Sequence, residues 1–196
     1  GTTVALEGEP MDYFANILNG VVKMTKTLAD GRQQIVGLLF PTDFLGRAFV
    51  TEAPYRAEAA ADLELCAFPH SSFEQLLHKY PQLEHRLLES TLSELDTARE
   101  WMLLLGRKTA EEKVASFLHL LAKRADLSAP CNANQDGPLR FPLPLTRTDM
   151  ADYLGLTIET VSRQITRLKK QGVISLVDSR TIEVAALEDL EDISGG

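Results

Sequence analysis

The stretch LTRTDMADYLGLTIETVSRQITRLKKQGVI, residues 145–174, constrains this chain more than any other. It contains two helix starts and two helix stops. Thr146 followed three residues later by Asp149 predicts a capped start, and Gly155 ends that helix. Thr157 caps a second helix, predicted to run to Lys170 or Gln171 and to stop at Gly172. A link of about four residues makes the pair a helix-turn-helix. In the second helix Val161, Ile165 and Leu168 form one buried stripe. Glu159, Ser162, Arg163, Thr166 and Lys170, spaced 3, 1, 3 and 4 apart, form a polar ridge facing the other way. VISLVDSRTIEV then reads as a β-hairpin turning at Asp178-Ser179, a wing.

That ridge has the chemistry of a major-groove reader. An arginine grips guanine O6 and N7 with two hydrogen bonds, and a glutamate accepts from cytosine N4. Glu159 and Arg163 stand at i and i+4 near the helix N-terminus, the end that meets base edges. Ser162 and Thr157 add short polar contacts at the same end, while Thr166, Lys170 and Arg180 are placed for phosphates. The competing reading makes Glu159–Arg163 a surface ion pair. The net charge of −8 excludes an overall polycation. Residues 139–183 nevertheless carry seven Lys and Arg against five Asp and Glu, while 184–196 carry four acids and no base. The basic excess therefore coincides with the ridge and points to double-stranded DNA.

The rest of the chain changes character twice. Through residue 70 it reads as short strands. YFANIL and VVKMTKTL flank Asn19-Gly20, and VKMTKTLA and RQQIVGLLF flank Asp30-Gly31, both hairpin signals. LELCAF, residues 63–68, is a further strand, and the set predicts an antiparallel roll or barrel. After Pro81 a long helix follows with two stripes. Leu83, Leu87, Ser90, Glu94, Thr97, Trp101 and Leu104 form the one assigned here to pairing with a second copy. Leu88, Leu92, Leu95, Arg99 and Met102 form the other. The alternative is that both stripes are intrachain core. TAEEKVASFLHLLAKRA is a further helix capped by Thr109 with Glu112, and DLSAPCNANQDGP is a loop. The division expected is a β-roll at 1–80, a dimerisation helix at 81–106 and a winged helix-turn-helix at 107–196.

Composition narrows the class further. Apolar residues make up 44% of the 196, enough for a core, and no apolar run approaches the ~20 residues of a membrane span. Two cysteines, Cys66 and Cys131, make no disulfide framework, so a cytoplasmic location is expected. No hydrolase, phosphate-loop or zinc-protease motif is present, so the chain is expected not to be an enzyme. The first residue is Gly1 rather than methionine, from which a further N-terminal segment is expected.

The residues 145–174 closely resemble the DNA-binding domain of CRP/FNR-type transcription regulators, and ETVSR, residues 159–163, is similar to the FNR branch. LNGVVKMTKTLADGRQQIVGLLFPTDFLG resembles that family's β-roll sensor, and EWMLLLGRKTAEEKVASFLHLLAKR resembles the end of its dimerisation helix and the start of its DNA-binding domain. The resemblance implies an α+β fold: a cyclic-nucleotide-binding-like roll, a long dimerisation helix and a winged helix-turn-helix. It implies that Glu159, Ser162 and Arg163 read a half-site, and that a homodimer binds a palindrome similar to TTGAT-N4-ATCAA. It also implies contact with RNA polymerase, for which residues 51–58 are the candidate surface.

The sensed signal is read the same way. Cyclic-nucleotide-binding relatives carry Gly-Glu and Arg-Ser pairs; the best matches here are Gly46-Arg47 and Arg56-Ala57, which disfavours a cyclic nucleotide. Read from the residues, Cys66 is a small buried hydrophobe. By resemblance it is one ligand of a [4Fe–4S] cluster that controls the regulator through oxygen, held only by the complete protein. Such a cluster needs about four thiolates, and this chain alone is expected to hold none. Glu94 and Glu100 are expected to repel their counterparts and keep the cluster-free form monomeric. A FixK-like or haem- or NO-responsive regulator without a cluster is the alternative. His70, His78, His85 and His119 form no close metal pair and read as surface or capping residues. Cys131 reads as an incidental or redox-exposed thiol in a polar loop.

Overall fold

The computed structural model describes residues 1–128, 138–178 and 180–195. The strands are β1 (Thr3–Ala5), β2 (Tyr13–Asn19), β3 (Val22–Thr27), β4 (Gln33–Leu39), β5 (Phe44–Leu45), β6 (Arg56–Ala59) and β7 (Glu64–Pro69). Helices α1 (His70–Lys79), α2 (Pro81–Arg107) and α3 (Ala110–Ser128) follow. Then come β8 (Leu139–Pro142), α4 (Arg147–Leu154), α5 (Ile158–Lys170), β9 (Ile174–Leu176), β10 (Thr181–Val184) and α6 (Leu187–Ser194). The chain divides into two compact units, Gly1–Trp101 and Met102–Gly196.

The first unit is a roll of two antiparallel sheets, ordered β1-β6-β3-β4 and β5-β2-β7. Strand alternation decides what each face buries. Ala15 and Ile17 of β2 meet Val22, Leu39 and Ala57 of the other sheet in one apolar core. Phe14, pointing the other way, stacks on Phe73 of α1 with ring centroids 4.0 Å apart. Leu77 joins that second cluster, and Leu83 and Leu87 of α2 pack against it.

The Asp30-Gly31 turn joins β3 to β4 as a hairpin, with Val22 opposite Leu39 and Thr27 opposite Gln33. Gly31 takes φ 88° there, a conformation open to glycine. The Asn19-Gly20 reading fails. β2 pairs with β5 and β7, and β3 with β4 and β6, so this turn carries the chain from one sheet to the other. Gly20 is required for another reason: at φ 91°, a Cβ there would stand 2.2 Å from the Asp62 carbonyl oxygen. Helix α1 and helix α6 escaped the sequence reading, as did strand β8.

The first stripe of α2 is uneven in its exposure. Leu83 and Leu87 are half-buried on the roll, and Leu104 is 4% exposed, within the second unit. These three are at least partly covered within the chain, whereas Ser90, Glu94 and Thr97 of the same stripe are exposed. Glu94 shares their side of α2, where desolvation and the nearby Asp43 raise its carboxyl above the usual range. Leu88, Leu92, Leu95 and Met102 lie on the other side of the helix and are exposed. Most of the exposed apolar residues of α2 thus belong to the second stripe.

In the second unit α3 is the central rod. Val114, Ala115, Phe117, Leu118 and Ala122 are fully buried, and α6 lies along α3 with Leu190 inward. Lys108 ties the ends together: its ammonium donates to the Ser194 carbonyl at 2.6 Å and to Ser116 Oγ at 3.0 Å. The three-stranded sheet β8-β10-β9 closes the unit beside α4 and α5.

Candidate nucleic-acid interface

Local chemistry places α4 and α5. Thr146 and Asp149 form a complete capping box: the Asp149 N–H donates to Thr146 Oγ1 at 3.1 Å, and the Thr146 N–H to Asp149 Oδ2 at 3.0 Å. Gly155 closes α4 in the left-handed region at φ 62°, where a side chain would be strained. Thr157 Oγ1 then accepts from the Thr160 N–H at 3.2 Å and opens α5. Two helices are thus fixed by bonds spanning at most four residues.

Packing fixes the rotation of α5. Val161, Ile165 and Leu168 are at most 3% exposed, with Met150 and Leu154 of α4 also buried. Gln164 joins this inner face, a polar residue that the apolar periodicity did not indicate. Glu159, Ser162, Arg163, Thr166 and Lys170 are all exposed. Ser162, Arg163, Thr166, Arg167 and Lys170 line one open groove along the helix.

The charged ridge side chains Glu159, Arg163 and Lys170 are exposed. Among the described residues Glu159 and Arg163 do not pair with each other, so the ion-pair alternative is not what the structure shows. Arg163 Nη2 instead donates to Thr160 Oγ1 at 3.4 Å. Glu159 is held below the ordinary carboxylate range by its own backbone N–H and by the Thr157 hydroxyl, so it stays anionic. Thr166 donates to the Ser162 carbonyl at 2.8 Å. Thr157 spends its hydroxyl on the cap and on Thr160.

The cations divide into two sets. Arg140 pairs with Glu183 at 2.6 Å and Arg167 with Glu111 at 3.0 Å. Arg163, Lys169, Lys170 and Arg180 have no acid partner among the described residues and are exposed. Arg180 stands at the wing, where its backbone N–H, not its guanidinium, donates to Asp178 Oδ1 at 2.6 Å. Ser179 of that turn lies outside the described residues. Arg147, at the start of α4, is half-buried against Met150 Sδ at 3.5 Å, and burial lowers its pKa.

The roll carries the sensor candidates. Gly46 is held at φ 108°, with a Cβ there only 3.3 Å from Phe14 Cδ2 and the Tyr13 carbonyl, so packing alone explains it. Ala57 belongs to the core, which turns its neighbour Arg56 to the outer face, in a salt bridge with Glu58. Arg56 is therefore not aimed into the roll interior. His70 corrects the expectation of surface or capping histidines. It is 7% exposed, with Nε2 2.8 Å from the Arg47 carbonyl and Nδ1 3.2 Å from Glu74. Within 51–58, Thr51 and Glu52 are exposed, Ala53 and Ala57 are buried, and Pro54, Tyr55, Arg56 and Glu58 are half-buried.

Cys66 lies on β7 opposite Asn16, half-buried. Among the described residues no group of three His, Cys, Asp or Glu is placed to hold a metal ion. One thiolate does not make a four-thiolate site, so the described residues do not fit a cluster by themselves. Cys131 lies outside the described residues. Among the described residues no helix is long and apolar enough to cross a membrane.

A roll, a long helix and a winged helix-turn-helix with a clear outward ridge define a class: the DNA-binding transcription regulators. Residues 1–80 match the cyclic nucleotide-binding domain model and residues 112–193 the Crp-like helix-turn-helix domain model. The chain is 49% identical over 200 residues to the transcriptional activator protein FnrL of Cereibacter sphaeroides, covering 100% of this chain and 80% of that protein. It is 43% identical over 177 residues to the nitrogen fixation regulation protein FixK of Bradyrhizobium diazoefficiens, covering 90% and 72%. The solved structure of FixK2 from Bradyrhizobium japonicum superimposes with a TM-score of 0.87 at 34% identity, covering 100% and 93%. The chain belongs to the CRP/FNR family of transcription regulators and is not an enzyme.

Proposed function

We propose that the protein acts as a homodimer that reads an FNR-box-like palindrome through α5, with Glu159, Ser162 and Arg163 on base edges. Thr157, Thr166, Lys170 and Arg180 serve the backbone. The observation that carries this reading is the exposed, acid-free set of cations around an outward ridge on a helix whose opposite face is buried. Two-fold symmetry would put two such helices about one DNA turn apart. The exposed stripe Leu88, Leu92, Leu95 and Met102 supports pairing through α2, and residues 51–58, with Thr51 and Glu52 exposed, are the surface proposed for RNA polymerase. The test is fluorescence anisotropy with a TTGAT-N4-ATCAA duplex against a shuffled duplex at fixed salt. Preference for the palindrome supports the reading, and equal affinity rejects it.

For the signal, the complete protein is proposed to respond to oxygen through a [4Fe–4S] cluster with Cys66 as one ligand. The remaining thiolates would have to come largely from outside residues 1–196, which contain two cysteines. The cluster would supply a reversible structural link to β7 through Cys66. A FixK-like regulator with no cluster is the second reading, favoured by the likeness to FixK2 over the whole chain. Absorbance of the anaerobically purified full-length protein separates them: a sulfur-to-iron band lost on Cys66→Ser supports the first, and a colourless protein supports the second.

A further inference from the structure

We propose that Arg167 is a sequence-blind DNA-backbone contact whose strength is set by Glu111, the acid it covers; this rests on the reading of α5 as the groove helix. Arg167 follows Arg163 by one turn and lines the same open groove as Ser162, Arg163, Thr166 and Lys170. Among the described residues it is the one groove cation paired with an acid: Nη1 stands 3.0 Å from Glu111 Oε2. The exposures are unequal, 57% for the Arg167 side chain and 22% for Glu111. The guanidinium therefore lies on the solvent side of the carboxylate.

Two physical roles compete for this pair. As a fold contact, an exposed ion pair contributes little, and Glu111 already suits the first turn of α3, where the helix dipole favours an acid. As a DNA contact, the pair has more to do. A guanidinium has five N–H donors and the contact with Glu111 engages one nitrogen, which leaves donors for a phosphate oxygen. A duplex lying on the α5 ridge also brings phosphates toward the start of α3, where an uncovered Glu111 would repel them. Arg167 thus neutralises a phosphate and screens an acid from the rest, while Glu111 draws off part of its charge. Neither effect depends on base sequence.

The experiment measures affinity against salt for the palindromic and shuffled duplexes, from low to moderate potassium chloride, with the full chain. Arg167→Gln is expected to weaken both duplexes by the same factor and to flatten the log–log salt slope by about 0.9 per protomer. Glu111→Gln is expected to tighten both equally, and the double variant to fall between the singles. Arg167→Lys should restore most of the slope, because charge rather than geometry carries the contact. An unchanged slope in Arg167→Gln, a loss confined to the palindrome, or weaker binding by Glu111→Gln would overturn the inference. Thermal melting of each variant separates these results from unfolding; a lowered melting temperature with an unchanged slope assigns the pair to the fold and rejects the proposal. If the unmodified protein shows no palindrome preference, the reading of α5 fails. If that preference stands and the Arg167 variants bind normally, only this inference fails.

Discussion

Leu92→Ala tests which face of α2 meets a second copy. Leu92 is 54% exposed in the single chain, flanked by Leu88 at 56% and Leu95 at 45%. Full burial of a leucine side chain is worth about 1.5–3 kcal/mol. Roughly half of that remains to be gained at Leu92, about 1 kcal/mol per protomer. A two-fold interface uses each residue twice, so the dimer loses about 2 kcal/mol on truncation, about 30-fold in its dissociation constant. Leu87→Ala provides the contrast. Leu87 packs on the Phe14–Phe73–Leu77 cluster, so its truncation should lower the melting temperature of the roll and leave the association constant nearly unchanged. Sedimentation equilibrium over a concentration series reads both. If Leu87→Ala dissociated the dimer and Leu92→Ala did not, the assignment of the two stripes would be reversed.

Three further expectations follow from named contacts. Thr157→Ala removes the α5 cap and should destabilise the second unit by about 1 kcal/mol in chemical unfolding, with Thr157→Ser recovering most of it. Gln164→Leu should stabilise that unit by about 1 kcal/mol, because Gln164 is 9% exposed and its Oε1 has no hydrogen-bond partner among the described residues; a lower melting temperature would refute this. Glu94 has a raised carboxyl pKa, so the folded state holds its proton to higher pH than the unfolded chain does. Its contribution is present below the unfolded carboxylate value and is lost as pH rises through the folded one. Glu94→Gln should therefore melt above the unmodified protein at neutral pH, with the difference shrinking toward acid.

What the sequence made legible was whatever short-range bonds decide. The Thr146–Asp149 box, the Gly155 stop, the Thr157 cap and the Asp30-Gly31 hairpin each depend on partners a few residues away, and each is found in place. The Asn19-Gly20 turn shows where this stops. Its local signal is the same as that of a hairpin, but strand partners are chosen by burial across the roll, and Ala15 and Ile17 face a sheet made of distant strands. The stripes on α2 show a related limit. Periodicity finds two apolar faces on one helix, and only the position of Phe14 and Phe73 shows which face the roll consumes. Helix α1 stayed hidden because Phe73 and Leu77 are its only buried apolar residues and no side chain caps its start. Gln164 and the Arg167–Glu111 pair are tertiary facts, legible only once α3 and α5 are side by side.

The central claim is that Arg163 reads a base on the outward face of α5. It is tested most directly by Arg163→Ala measured on two duplexes, the palindrome and one with the contacted G·C pair replaced in each half-site. The variant should lose about 1–3 kcal/mol per contact on the palindrome and show little difference between the two duplexes. Equal losses on both duplexes, or no loss on either, would contradict it.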